Sequence, residues 1–320
     1  MGQGQEIKTR TQPRIDIQER GEIFFFYRPK VDKEEAHSSD DVQRLYIVLR
    51  LESGERTVEE KQDPHSGKEG QVSGHNDDTD TSITTKAKGG SSTEEKVNIE
   101  QQPLVRFIVM RRKSLPDPAK KSRPYWGFVE MVTTRIEDVE TALKGEENDV
   151  ATKGHRRNSA ARALGEGIYR ILRHGVTGKK THTHLIYELE FPPEQEKNEP
   201  QESLDVEREG SFLIQIKNPD QQQQGSSSQF RGLGNKRKAV FPAHLQGQFG
   251  KLRFAPADPP DFLNYEGCEL LLISASDDID EELRLELKTE CEAAQPWCSD
   301  LVKTFGETAA TTPLFQGTWV

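Results

Sequence analysis

Short apolar runs rich in β-branched and aromatic residues recur along the chain between polar stretches, and this pattern predicts β-strands. In the first half these runs cover residues 21–29, 42–50, 105–110 and 125–132. The four aromatic residues at 24–27 exclude a half-exposed strand, because consecutive bulky side chains need cover on both faces. A helix is predicted at 136–143, where apolar residues recur at helical spacing.

The second half repeats this order of elements. Its predicted strands cover residues 165–173, 181–191, 210–217 and 266–273. An acidic helix is predicted to follow at 277–287, with Ser276 as its N-cap. In both halves an Asp-Pro loop precedes the last strand, and a polar insertion follows the second strand. The sequence therefore predicts an α+β fold built from two related, duplicated sheet-containing units, each with the order βββ-β-α.

The polar insertions contain too few apolar residues to offset the entropy of ordering them, so the sequence predicts that they are disordered. They cover residues 52–98 in the first unit, and residues 194–209 and 219–238 in the second. The predicted organisation is a mobile arm (1–20), a first unit (21–145), a linker (146–164), a second unit (165–288) and a tail (289–320). Aromatic residues in the tail predict that it docks on a domain.

Composition narrows the class of protein. The 320 residues carry a net charge of −10, which argues against a general nucleic-acid coat protein but leaves room for a local basic patch. The three cysteines form no CxxC pair, which favours a reducing compartment over a disulfide framework or a zinc site. No apolar run approaches the roughly 20 residues that a membrane span needs. We therefore expect a soluble cytoplasmic protein without a membrane partner, with the nucleus as the alternative location.

Two basic segments stand out in this acidic chain, at residues 106–123 and 153–180. If the two units pack together, both segments could line one groove, where arginines suit phosphate and carboxylate groups. The candidate anion-binding residues are Arg111, Arg112, Lys113, Lys120, Lys121, Arg123, Arg156, Arg157, Arg162, Arg170 and Arg173. Tyr125, Trp126 and Tyr169 could stack on the bases of single-stranded nucleic acid. The competing interpretation is that the acidic helices simply neutralise these basic loops.

These features favour a non-catalytic binding or scaffold protein that engages RNA or a phosphate-bearing ligand and needs no cofactor.

An enzymatic alternative rests on His182 and His184, which share one face of a predicted strand because side chains alternate along it. With a third ligand from His155, His174 or Glu188, they could hold zinc or iron in a metal-assisted hydrolase. The simpler interpretation is a pair of partly exposed polar residues.

Two further features suggest interaction and regulation. A structural module that docks a protein partner through its tail is the third functional alternative. The tetrapeptides Arg111-Arg112-Lys113-Ser114 and Arg156-Arg157-Asn158-Ser159 resemble targets of basophilic kinases. Phosphorylation of Ser114 or Ser159 would add about −2 of charge and cancel part of the basic patch.

Several segments of the chain are similar to one known family. They are residues 21–49 with Asp40-Asp41-Val42-Gln43-Arg44, Gly165-Glu166-Gly167-Ile168-Tyr169, Thr183-His184-Leu185, and residues 256–267. With them the sequence resembles a family of unassigned activity from plants and bacteria, over most of the chain outside the low-complexity insertions. The resemblance implies a shared fold and supplies no activity, cofactor or catalytic residue.

Overall fold

The computed structural model of the protein describes most of the chain. The described residues are 4–9, 14–52, 55–58, 95–98, 104–120, 123–150, 154–175, 181–192, 198–221, 237–289 and 300–319. For residues 55–58, 95–98, 146–150 and 154–158 the description covers the backbone.

Strands dominate the described residues. They are β1 (Gln5–Lys8), β2 (Arg14–Pro29), β3 (Val42–Leu51), β4 (Glu55–Val58), β5 (Glu95–Asn98), β6 (Val105–Met110), β7 (Tyr125–Thr133), β8 (Glu146–Val150), β9 (Gly154–Asn158), β10 (Arg162–Gly175), β11 (His182–Phe191), β12 (Glu209–Lys217), β13 (Phe254–Pro256), β14 (Glu269–Ser276) and β15 (Leu285–Lys288). The helices are short: α1 (Ile136–Leu143), α2 (Glu199–Ser203), α3 (Ala243–Phe249), α4 (Ile279–Leu283), α5 (Asp300–Phe305) and α6 (Thr312–Gln316). Single 3-10 turns cover Ser39–Asp41 and Pro260–Asn264. Within the described ranges, no helix has the length and apolar character needed to cross a membrane.

Eight strands form one closed antiparallel barrel. Their order is β11-β10-β2-β3-β6-β7-β14-β12, and β12 pairs back onto β11 to complete the circle. The predicted α+β fold of two duplicated units is therefore wrong. Strands occur where the apolar runs predict them, and each half of the chain supplies four strands of the barrel. The strands at the edges of one half pair with those at the edges of the other half. β2 pairs with β10 and β7 with β14, so that closure removes the exposed edges that two separate sheets would carry.

The run of aromatic residues in β2 shows how both faces of the barrel wall are buried. Ile23, Phe25 and Tyr27 belong to the cluster that fills the barrel interior. Phe24 and Phe26 point the other way, into a second cluster that includes residues of α1 and α5. Alternating side chains on a strand therefore explain why every position of this run is apolar.

Both ends of the barrel are closed by side chains from connecting segments. At the upper end, which carries the described connecting residues 30–41, 111–120, 123–124 and 198–208, the interior cluster continues into Leu115, Leu204, Val206 and Trp319. At the lower end it continues into an aromatic group from residues 241–262, in which Phe241 meets Phe262 edge to face with ring centroids 5.1 Å apart. The interior is consequently a packed core.

Other predicted elements differ in length from those observed. The acidic helix predicted at 277–287 is confined to α4, because Arg284 adopts a left-handed conformation and β15 follows directly. Its N-cap is Asp278 rather than Ser276. Of the predicted linker, 146–150 and 154–158 pair as a hairpin. Lys8 and its neighbours in β1 pair with β15, so part of the predicted N-terminal arm belongs to a sheet.

The predicted insertions lie partly outside the described residues. Within 52–98, the described segments 55–58 and 95–98 pair as antiparallel strands. Within 194–209, α2 is helical and both Leu204 and Val206 are buried. Most of 219–238 lies outside the described residues. In the tail, Phe305 of α5 packs edge-on against Phe24 and Phe26.

Candidate anion-binding surface at the upper end of the barrel

The predicted anion-binding residues fall into separate groups. Those on the β6–β7 loop, Arg111, Arg112, Lys113, Lys120 and Arg123, lie at the upper end, as does Arg162 at the start of β10. Arg170 and Arg173 lie further along β10, towards the lower end. Lys121 lies outside the described residues, and Arg156 and Arg157 belong to β9, where only the backbone is described. The structure thus brings one part of the predicted set together.

Arg170 and Arg173 are engaged in ion pairs that fasten strands. The buried Arg170 lies with its Nε 3.1 Å from Glu6 Oε2, and its Nη2 donates to the carbonyl of Gly4. The Arg173 Nη2 lies 2.6 Å from a carboxylate oxygen of Asp16, and its Nη1 lies 3.5 Å from Asp258. Arg170 therefore holds the segment around β1 onto the barrel wall, and Arg173 links β10 to β2 and to the 254–262 region.

Lys113 and Arg162 fasten the 30–41 loop from two sides. Lys113 Nζ donates to the carbonyls of Ser39 and Asp40, at 3.3 and 3.1 Å. Arg162 Nη2 donates to the carbonyl of Glu34 at 2.7 Å. These contacts place positive charge against the loop carbonyls, including that of Ser39, which also accepts from Val42 N–H.

Lys120 faces acidic neighbours. Its Nζ lies 2.5 Å from Asp117 Oδ2, and this hydrogen bond raises the pKa of Lys120, with Asp205 and Glu207 adding smaller effects. Burial raises the pKa of the Asp205 and Glu207 carboxyls, and neighbouring carboxylates raise the pKa of each further. On this side of the loop, acidic residues do neutralise the basic charge.

Arg111 and Arg112 differ from the rest of the set. Both are exposed, and neither has a carboxylate within ion-pair distance among the described residues. The Arg112 guanidinium carbon lies 4.4 Å from the centroid of the Tyr125 ring, and its Nη1 donates to Tyr125 Oη at 3.3 Å. Arg123, also exposed, lies two residues before Tyr125. We call Arg111, Arg112, Arg123 and Tyr125 the Arg–Tyr surface.

The barrel fixes the spacing of the Arg–Tyr surface. Arg111 donates its backbone N–H to the carbonyl of Trp126 at 2.9 Å, which continues the β6–β7 ladder by one step. The other two predicted stacking residues are absent from this surface. Trp126 is buried against Phe254, and Tyr169 points into the barrel, where its hydroxyl donates to Glu19.

The predicted histidine pair lies on the outer wall of the barrel, near α4. His182 is exposed, whereas His184 is buried with its Nδ1 3.0 Å from Ser211 Oγ and 3.8 Å from Glu282 Oε1. The His174 and His184 ring centroids are 5.4 Å apart. Burial, together with the two neighbouring imidazoles, lowers the pKa of His184 to about 3.

No group of three or more histidine, cysteine, aspartate or glutamate side chains within the described ranges has a geometry that could hold a metal ion. Three residues are predicted from sequence as the third ligand. His155 belongs to β9, where only the backbone is described. The ring of His174 lies beside that of His184, and Glu188 lies four residues further along β11. His184 is instead satisfied by Ser211 and is neutral at pH 7, a state typical of a core histidine. Cys268 is fully buried, and burial raises the pKa of its thiol far above the ordinary value, which disfavours the nucleophilic thiolate.

Sequence reasoning missed the partners of buried polar residues. Ser211 and Glu282 meet His184 from β12 and α4, and Asp205 meets Ser114 from the segment after α2. Nothing in the spacing of these residues signals the contacts, because each joins positions far apart in the chain.

Comparisons of the chain with protein-family models, curated proteins and solved structures gave no match.

Proposed function

We propose that the protein is a non-catalytic binding protein that holds single-stranded RNA on the Arg–Tyr surface. The observation that carries this proposal is the exposed Arg112 guanidinium stacked on Tyr125, beside Arg111, with no carboxylate partner for either arginine in the described part of the chain. In a chain of net charge −10, arginines close to acidic residues are readily neutralised, as Arg170 and Arg173 are. Arg111 and Arg112 direct their charge outward instead.

The residue types suit a nucleic-acid strand. An arginine fork donates two parallel hydrogen bonds to a phosphate, and consecutive arginines can contact neighbouring phosphates. A tyrosine ring and a guanidinium plane both stack on bases irrespective of base identity. Tyr125 is half-buried and packs against the interior cluster, so its ring supports the Arg112 guanidinium, whose outer face can stack on a base.

Binding of a fluorescent single-stranded oligouridine to the full chain tests the proposal by fluorescence anisotropy at a series of salt concentrations. The double variant Arg111→Ala/Arg112→Ala should lose two phosphate contacts, which reduces the slope of log K against log salt by about 1.4. Tyr125→Leu removes the ring that supports the Arg112 guanidinium, and should weaken binding by up to about 1–3 kcal/mol, the usual value of one stacked base.

Arg135→Ala is the matched control. Arg135 is an exposed arginine paired with Asp138 away from the Arg–Tyr surface, so its removal should leave affinity and salt slope unchanged. An affinity that does not depend on salt, or that the double variant leaves intact, would overturn the proposal.

A further inference from the structure

The loop between β6 and β7 is joined to the segment that closes the upper end of the barrel. We call this segment, residues 198–208 between β11 and β12, the strap. Leu115 N–H donates to the carbonyl of Leu204 at 3.0 Å. Leu115, Leu204 and Val206 are buried together in the interior cluster. Docking of the loop on the strap thus completes the barrel core at this end.

Other hydrogen bonds fasten the two ends of the strap. Glu199 N–H donates to the carbonyl of Gly317 at 2.9 Å, and the carbonyl of Arg208 accepts from Leu189 N–H at 2.8 Å. Asn198 caps α2 by accepting from Gln201 N–H at 3.1 Å, and the Gln201 amide donates to the carbonyl of Leu164 at 2.7 Å. Tyr187 Oη donates to the carbonyl of Glu207 at 3.1 Å. The middle of the strap depends instead on the β6–β7 loop, because Leu204 accepts the Leu115 N–H and both Leu204 and Val206 are buried. Loss of this contact can therefore open residues 204–206 locally.

Ser114 lies at the junction between the loop and the strap. Its hydroxyl donates to the carbonyl of Leu115 at 3.0 Å, and it is near enough to the Asp205 carboxylate to lower the pKa of that group. With a single proton, the hydroxyl can donate to one of these acceptors at a time. Asp205 is partly buried and has Asp117 as an acidic neighbour. The serine is therefore a neutral donor in an environment of carboxylates.

The residues before Ser114 have the sequence and the exposure that an arginine-directed kinase requires. Arg111 and Arg112 precede the serine by three and two residues, and both are exposed. The loop from 111 to 124 lacks regular helix or strand in its described residues, so it can adopt an extended form in a kinase cleft. Ser159, in the second such tetrapeptide, is instead buried with its hydroxyl bonded to the carbonyl of Lys33.

We propose that Ser114 is a phosphorylation site for an arginine-directed serine/threonine kinase, and that the phosphate releases the strap from the barrel. In the transfer, Ser114 Oγ forms a bond to the γ-phosphorus of ATP while the bond from that phosphorus to its bridging oxygen breaks. ADP leaves, and the hydroxyl proton passes to the catalytic base of the kinase.

The phosphate changes the junction in two ways. It removes the hydroxyl proton that Ser114 donates, and it places about −2 of charge next to the Asp205 carboxylate. Repulsion between these groups is strong because the site is partly shielded from water. Relief of the repulsion separates the loop from the strap, and the neighbouring bond from Leu115 to Leu204 breaks with it.

The test treats the full chain with an arginine-directed kinase and ATP, maps the phosphate by mass spectrometry and follows backbone hydrogen exchange. We expect phosphate on Ser114 but not on Ser159. Amides of residues 204–206 in the strap should then exchange at least about tenfold faster, since local opening sets their protection. Ser114→Ala should show neither change after the same treatment.

Asp205→Asn separates charge repulsion from simple crowding. Asp205 has a left-handed backbone (φ 53°), which asparagine tolerates, so this variant keeps the strap conformation. In phosphorylated Asp205→Asn protein the strap should remain protected. A synthetic peptide of residues 108–118 serves as the kinase control.

Three results would overturn the proposal. One is phosphorylation of the peptide but not of Ser114 in the folded chain, and another is failure of the kinase to modify even the peptide. The third is a phosphorylated chain whose strap exchanges as slowly as before. None of these measurements uses RNA, so their outcome is independent of the function proposed for the Arg–Tyr surface.

Discussion

Arg106 and Glu19 form a two-bond ion pair inside the barrel, with Nη1 2.5 Å from Oε1 and Nη2 2.9 Å from Oε2. Asn264 Oδ1 accepts from the Arg106 Nε at 2.9 Å, and Tyr169 Oη donates to the Glu19 carboxylate at 2.9 Å. This network joins β6, β2, β10 and the turn at Pro260–Asn264 that helps to close the lower end. It therefore ties strands from both halves of the chain into one barrel.

Removal of one partner of this pair should strongly destabilise the fold. Arg106→Met leaves the Glu19 carboxylate buried without its counter-ion, and such changes cost about 3–5 kcal/mol. Urea unfolding should show this loss as a lower free energy of unfolding. Arg135→Met, which removes an exposed pair with Asp138, should cost at most about 1 kcal/mol.

The double variant Arg106→Met/Glu19→Leu provides the second arm of this test. Because no charge is left unpaired, it should be more stable than Arg106→Met alone. A single variant as stable as the Arg135→Met control would show that the buried pair does not stabilise the barrel.

Stability should fall in mild acid because of His184. Its pKa in the folded protein is about 3, lowered from an ordinary value of 6.5 by burial and by His174 and His182. Between these values the unfolded chain binds the extra proton, so stability is present above pH 6.5 and is lost as the pH falls towards 3. The slope for one such proton is at most about 1.4 kcal/mol per pH unit.

Urea unfolding of the wild type and of His184→Gln at pH 7 and pH 5 measures this effect. The variant should lose less stability over this range, because glutamine does not titrate. His244→Gln, at an exposed histidine of α3, is the control and should follow the wild type. Equal pH dependence in His184→Gln and wild type would assign the effect to other groups, among which His174 contacts the His184 ring and has a pKa that burial also lowers.

Local sequence patterns predicted the elements better than their assembly. The strands and α1 are encoded by side-chain periodicity, as the helix predicted at 136–143 and observed at Ile136–Leu143 shows. The pairing of β2 with β10 sets Phe26 opposite Ala163, and no local pattern in either strand specifies that partner. The apparent duplication therefore predicts two units, whereas closing one barrel buries the free edges of both halves.

The same distinction applies to the candidate site. Arg111, Arg112 and Tyr125 are close in sequence, and their charge and aromatic character identified them. The engagement of Arg170 by Glu6 joins residues 164 positions apart and could not be foreseen from either segment. Net charge alone cannot show which arginines have partners, since that depends on tertiary contacts.

Cys268 should be unreactive in the folded protein. It is fully buried, and burial raises the pKa of its thiol well above the ordinary value, so the reactive thiolate is scarce and inaccessible. Maleimide labelling followed by peptide mass spectrometry should find Cys268 unmodified at pH 7.5 and modified in urea. Rapid labelling of Cys268 without denaturant would contradict the packing of the interior cluster.

Phe305 should be the main anchor of the C-terminal segment. Its ring meets those of Phe24 and Phe26 edge to face, with centroid distances of 5.4 and 5.3 Å, and is fully buried. Phe305→Ala should therefore cost about 3–5 kcal/mol, the usual loss for a buried phenylalanine. Urea unfolding measures the loss, and limited proteolysis should cut residues 300–319 of the variant sooner.

Phe315→Ala is the matched control for this variant. Phe315 lies in the same segment and contacts Phe191, but it is 38% exposed, so its removal leaves a smaller cavity. Its cost should be less than half that of Phe305→Ala, and residues 300–319 should stay protected from protease. If the two variants lost the same stability, the contact with Phe24 and Phe26 would not be what holds this segment on the outer wall of the barrel.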